Sequence, residues 1–238
     1  DDDLKGTVDL IDFEELKEEL KLMKNRKASG EDKINAELLK NGGMILHLRL
    51  LHIINKCWIK REIPERWKVA EVISLFKKGD RRQCENYRGI SLLNAIYKLY
   101  ARIINKRLKI ITETLIGEEQ SGFRKGRSTS DNIFVLQQIL EKRREYNLQT
   151  HIAFIDFQKA FDNVDREKLW YIMKEQGYPR QLIKVVKDLY EETKMVLNFR
   201  TEKSKEILTN KGVRQGCPMS PTLFNIYINN IIQNWKQK

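Results

Sequence analysis

The stretch "IAFIDFQKAFDNV", residues 152–164, constrains the fold of this chain more than any other. The run His151–Ile155 has little alternation, the pattern of a strand covered on both faces, and a strand is expected over 150–156. The run ends on Asp156. A second carboxylate, Asp162, follows directly after Phe161. A carboxylate at the end of a buried strand sits at the edge of the core and needs compensation. A hard cation such as Mg²⁺ is one source, and a cap or a salt bridge is another. Asp162 falls in a strand-to-helix turn, where Asp often bonds local backbone amides.

The flanking chain alternates between two periods. Asp12 is placed as an N-cap, with Glu15 at the capping-box position and Ile11 and Leu16 as a hydrophobic staple. Phe13, Leu16, Leu20 and Met23 then recur at helical spacing. A short helix ends at Gly42–Gly43. Residues 44–61 carry a broad apolar face (Ile45, Leu48, Leu51, Ile54, Trp58), expected to be well buried. "VAEVISLF" (69–76) and "RGISLL" (88–93) flank a basic tip and predict a long hairpin. Residues 94–110 put Ile96, Leu99, Tyr100 and Ile103 on one helical face and Lys98, Arg102, Lys106 and Lys109 on the other. A helix is expected over 131–146. Asp165 caps a further helix that stops at Gly177, and Pro179 opens another that runs to Tyr190. A second hairpin is expected from 194–199 and 206–213, and an apolar helix (Leu223, Phe224, Tyr227, Ile231, Trp235) closes the chain, expected to be poorly covered and so to limit solubility. Helices and strands mix without a βαβ rhythm, which argues for an α+β fold.

Charge narrows the function. The net charge is +12, unevenly placed. Residues 1–20 hold nine acids and two bases, while residues 77–109 hold ten bases against Asp80 and Glu85. A basic block on an ordered segment points to a polyanion partner or to a solvated surface. Cys57, Cys84 and Cys217 are scattered, and with His47, His52 and His151 they offer no zinc-site spacing. No apolar run is long enough to cross a bilayer, so the expectation is a soluble intracellular chain with no membrane partner.

Several familiar sites are absent. There is no HExxH and no GxSxG. "GFRKGRST" (122–129) fails as a phosphate loop, with three residues between its glycines and Arg127 in place of the lysine. "GVRQGCPMSPTLF" (212–224) is a shaped turn entering a helix, with Ser220 as N-cap and Pro221 at the first helical position. Arg214 and Gln215 on that turn offer donors to phosphate, sugar or base edges.

In order, "IPERWKVAEVISLFKKGD", "NYRGISLLN", "EQSGFRKGRST", "FIDFQKAFDNV" and "GVRQGCPMSPTLFNIYIN" make a set that resembles the reverse-transcriptase domain of non-LTR (LINE-type) retrotransposons. The similarity runs over nearly the whole chain. It implies a right-hand polymerase fold with fingers and a partial palm, the thumb absent. Residues 1–60 would be an N-terminal helical extension, 61–90 and 164–217 fingers, and 91–163 with 218–238 the partial palm.

The resemblance also implies roles. Asp156 matches the first catalytic aspartate, a Mg²⁺ ligand (Mn²⁺ being the alternative ion), and Phe157 would add a backbone carbonyl. Lys77, Lys78 and Arg88 would clasp the dNTP triphosphate. Phe161 matches the gate that rejects a 2′-OH, and Gln215 and Gly216 the motif against the nascent base pair. Arg124 and Arg127 fall in a block that helps seat the template. With Arg214 and the basic stripe of Lys98, Arg102 and Lys106, they are the candidate nucleic-acid contacts. The implied partners are an RNA template, a DNA primer or target and dNTPs, with a nuclear site of action.

The family's other two metal-binding carboxylates come from a Tyr/Phe-Ala-Asp-Asp turn beyond the "RQGCPMSP" block, and this sequence is expected to stop before it. Its adjacent aspartates are Asp1–Asp3. "SGEDK" (29–33) stands where the family has "PGPDG". The expectation is a polymerase domain inactive by itself. A group II intron or retron polymerase is a neighbouring reading, and the alternative from another class is a non-catalytic nucleic-acid-binding remnant.

Overall fold

The apolar alternation of 69–76 and 87–92 produces the expected hairpin. β1 (Val69–Phe76) and β2 (Tyr87–Leu92) pair antiparallel, from Glu71 opposite Leu92 to Phe76 opposite Tyr87. A computed structural model describes residues 9–199 and 202–236; Asp1–Asp3 lie outside them. On the other edge of β1 runs β3 (Lys194–Phe199), parallel to it, with Val69 opposite Lys194. The short strands β4 (Glu202–Lys203) and β5 (Ile207–Leu208) fold back antiparallel on β3. The second hairpin is therefore present but brief, and residues 209–213 leave it to form the turn described below.

The helices follow their caps. α1 (Phe13–Leu22) starts where Asp12 accepts from the Glu15 amide at 2.7 Å. Glu15 does not close a capping box, because its carboxylate is drawn to Arg107. α2 (Ala36–Asn41) and α3 (Gly43–Lys60) follow, then the single turn α4 (Glu65–Lys68). α5 (Ala95–Leu115) is the central helix: Leu99, Tyr100, Ile103, Ile104 and Leu108 are fully buried. It packs against α1, α8 (Arg180–Tyr190) and α9 (Ser220–Lys236). α7 (Arg166–Glu175) begins where Asp165 accepts from the Lys168 amide at 3.1 Å. α6 (Thr129–Glu145) carries a full capping box from Ser128 and Asp131 yet buries none of its residues. The outcome is the mixed α and β architecture that the sequence pattern predicts.

Four expectations need correction. Residues 151–157 form no strand, and Phe154 is 86 % exposed. An apolar run becomes a buried strand only where neighbours bond its edges and cover its faces. Among the described residues the sheet consists of β1–β5, and none of them runs beside 151–157. α3 buries Leu50, Ile54, Cys57 and Trp58, while Ile45 and Leu48 face outward. Ser220 is the first residue of α9 rather than its cap, since its hydroxyl turns back to donate to the Arg214 carbonyl at 2.7 Å. The opening half of α9 is also well covered: Leu223 and Ile226 are buried, and Trp235 near the end is exposed.

Candidate active site

Three segments far apart in sequence meet at the turn 212–216. The Val213 amide donates to the Phe161 carbonyl at 2.9 Å, and the Gly212 amide to Val164 at 2.8 Å. The Ser91 amide of β2 donates to the Gln215 carbonyl at 2.8 Å. The Gln215 side-chain amide reaches Asp162, Nε2 to Oδ1 at 3.0 Å. Gly212 (φ +80°) makes this approach feasible, because a Cβ there would stand 2.8 Å from the Asp162 carbonyl oxygen. Gly216 (φ +114°) does the same against Ser91, at 2.6 Å from its carbonyl oxygen. A cavity of about 370 Å³ opens beside the joint, its wall including Val72, Gly89, Ser91, Asp162 and Gln215.

Phe161 is half-buried and held by two rings. It stacks on Phe224 of α9 (5.1 Å, 13°) and meets Phe123 edge-on at 6.0 Å. Phe123 has φ +60°, a rare conformation for a bulky residue, and its ring lies on Phe161. The sequence marks Phe161 as a candidate; its aromatic neighbours Phe123, inside "SGFRKG", and Phe224, inside "PTLF", are brought to it only by the fold. Asp156 and Phe157 lie on the exposed segment before this turn. Asp156 is a hard oxygen donor, suited in kind to a divalent cation. Among the described residues, however, no three His, Cys, Asp or Glu side chains gather to hold a metal.

The hairpin tip is ordered by local bonds. Tyr87 donates to the Arg81 carbonyl at 2.9 Å, Asn86 Nδ2 to Asp80 at 2.8 Å, and the Arg81 guanidinium lies 5.1 Å from the Phe76 ring centre. Lys77, Lys78 and Arg88 are exposed around it.

The other predicted cations are engaged. Arg214 is buried and donates to the Trp67 and Lys68 carbonyls, both at 2.9 Å. Arg124 grips its own loop through the Gly117 and Gln120 carbonyls and pairs with Glu113. Arg127 pairs with Glu118. The basic stripe of α5 faces the acids of α1: Arg102 meets Glu19 at 2.9 Å and Lys106 meets Glu18 at 2.6 Å. Lys98 donates to the Ala28 carbonyl at 3.3 Å, and burial pulls its pKa below the ordinary lysine value. Part of the basic block thus answers the acids of α1: Arg102, Lys106 and Arg107 pair with Glu19, Glu18 and Glu15.

Residues 76–238 match the family model described as reverse transcriptase (RNA-dependent DNA polymerase). The chain is 30% identical over 218 residues, 92% of its length, to the transposon TX1 uncharacterized 149 kDa protein of Xenopus laevis, of which it spans 17%. It is 30% identical over 91% of its length to the probable RNA-directed DNA polymerase from transposon BS of Drosophila melanogaster, spanning 24% of that protein. It is 31% identical, again over 91%, to the RNA-directed DNA polymerase from mobile element jockey of Drosophila melanogaster, spanning 24%. The chain therefore spans less than a quarter of each of these curated relatives.

Proposed function

The chain belongs to the reverse transcriptase (RNA-dependent DNA polymerase) family, and from that membership we propose that it serves RNA-templated DNA synthesis for a non-LTR retrotransposon. The observation that carries this reading is the joint at 212–216. Segments 88–92, 161–164 and 212–216, each read from sequence as part of one polymerase site, are tied together by hydrogen bonds.

In the same reading, residues 61–90 and 164–217 are the fingers, and the parallel pairing of β1 with β3 supports joining them. Residues 1–60 are the N-terminal extension; 91–163 and 218–238 are the partial palm. Lys77, Lys78 and Arg88 are cations free to neutralise a leaving pyrophosphate, which phosphoryl transfer requires. Phe161 is the sugar gate, its ring fixed by Phe123 and Phe224. Gln215 and Gly216 lie against the new base pair. Among the nucleic-acid candidates, Arg127 and Lys106 sit in exposed ion pairs that cost little to exchange for phosphate. Lys98 donates to a carbonyl, that of Ala28, and among the described residues has no carboxylate to give up. Arg102, Arg124 and Arg214 do more to hold the fold.

Divalent ions are general in the family; bound, they activate the primer hydroxyl and steady the triphosphate. Asp156, with the Phe157 carbonyl beside it, would be one of the groups that hold such an ion. A two-ion centre needs more carboxylates than the described residues bring together. Primer extension on an RNA template with Mg²⁺ is accordingly expected to be absent for residues 1–238, and robust incorporation would refute this. In a chain that carries these residues and extends primers, Asp156→Asn should lower synthesis by at least about 10²-fold while template–primer binding persists. An active Asp156→Asn chain would refute the assignment.

The lack of a carboxylate cluster among the described residues also favours a second reading, nucleic-acid binding without chemistry. A binding constant that falls with salt, together with no synthesis by any chain containing residues 1–238, would select it.

A further inference from the structure

The Asp162–Gln215 bond has no part in a turn's own economy. A turn Asp normally bonds backbone amides nearby. Here the carboxylate accepts from a side chain 53 positions away. The backbone on both sides is already fixed by the Val213–Phe161 and Gly212–Val164 bonds, and Lys211 donates to Asn163 at 3.0 Å. The joint therefore holds without the side-chain bond, which leaves that bond one distinct effect.

A carboxylate accepts and does not donate, so it meets only the NH₂ end of a carboxamide. That fixes the flip of Gln215 and turns its Oε1 away from Asp162. We propose that Asp162 is a positioning residue: it holds the Gln215 carboxamide in a single orientation, so that Gln215 presents a defined acceptor to the incoming nucleotide. This rests on the reading of Gln215 as a nucleotide-facing residue. Asp162 follows Phe161 directly, so the same turn sets the ring that screens the sugar and the amide that meets the nucleotide. An unpaired Gln215 would sample both flips and lose part of its contribution to binding, not to the chemical step.

The test is a double-mutant cycle in a chain that contains residues 1–238 and extends primers. Asp162→Asn keeps the shape but lets either end of the Gln215 amide face it. It is expected to raise the nucleotide KM about tenfold, the size of one lost polar contact, with kcat within about threefold. Asp162→Glu should recover most of the loss. On a Gln215→Met background, Asp162→Asn should add nothing. Additive effects, an unchanged KM, or a fall confined to kcat would each overturn the proposal. So would thermal melts of residues 1–238 in which Asp162→Asn no longer folds, because Asp162 would then be a fold residue. Failure of the polymerase reading is separate: it shows as no synthesis by any chain that contains residues 1–238 with Asp162 and Gln215 intact.

Discussion

Arg214 answers its charge with carbonyl oxygens and ring faces rather than with a carboxylate. Its guanidinium lies 5.1 Å from the Tyr97 ring centre and 5.9 Å from that of Tyr190 while it donates to Trp67 and Lys68. Arg166 is housed the same way. It donates to the carbonyls of Gly212, Tyr190 and Thr209, and burial lowers its pKa from the ordinary arginine value. Both side chains tie the 212–216 turn or its approach to distant backbone, so the turn's shape depends on them. Arg214→Met should leave two carbonyls unpaired and cost about 2–4 kcal/mol in urea unfolding; a loss below about 1 kcal/mol would show that water replaces the guanidinium. The sequence offered Arg214 as a ligand donor because it stands beside Gln215 in a turn. Only the fold shows that the two adjacent residues point to different tasks, one inward to backbone and one toward the cavity wall.

The helices α1 and α5 meet through charges of very different worth. Arg107 pairs with Glu15 at 2.7 Å, with side chains 14% and 13% exposed, and lies 4.9 Å from the Trp58 ring centre. Lys106 pairs with Glu18 at the open edge. Removing one partner of a mostly buried pair strands the other charge, so Arg107→Met should destabilise by about 3 kcal/mol. Lys106→Met should cost less than about 1 kcal/mol. Chemical denaturation of the two variants checks the contrast, and equal losses would contradict it. The faces of α5 were legible from helical spacing, as were the caps of α1 and α7 and the β1–β2 hairpin, because these are local patterns. What faces a charge is not local: Arg102 and Glu19 are neighbours only once α1 packs on α5. The same limit explains residues 151–157. Their apolar run states what the segment could bury, but not whether a partner strand stands beside it.

Taken as a whole, the molecule is well packed around α5 and leaves apolar side chains open in several segments. Ile133, Phe134 and Val135 of α6 are exposed, as are Ile152, Phe154 and Ile155. Runs of exposed apolar residues of this kind favour self-association. Light scattering of residues 1–238 should show mass rising with concentration, and Phe154→Ser with Ile155→Ser should reduce it; a monodisperse monomer throughout would contradict this. Among the described residues no helix is long and apolar enough to cross a membrane. The parallel pairing of β1 with β3 also bears on how the chain is made. On the edge of β1 away from β2, residues 69–73 find their partners at 194–198. During synthesis at about 5–20 residues per second, β1 waits for roughly ten seconds before its second edge can be filled. Closing so long a loop comes late and slowly compared with forming the hairpin. The nascent chain therefore carries a half-made sheet while the residues between β1 and β3 are made, and the covering of that edge by β3 is a late step in forming the sheet.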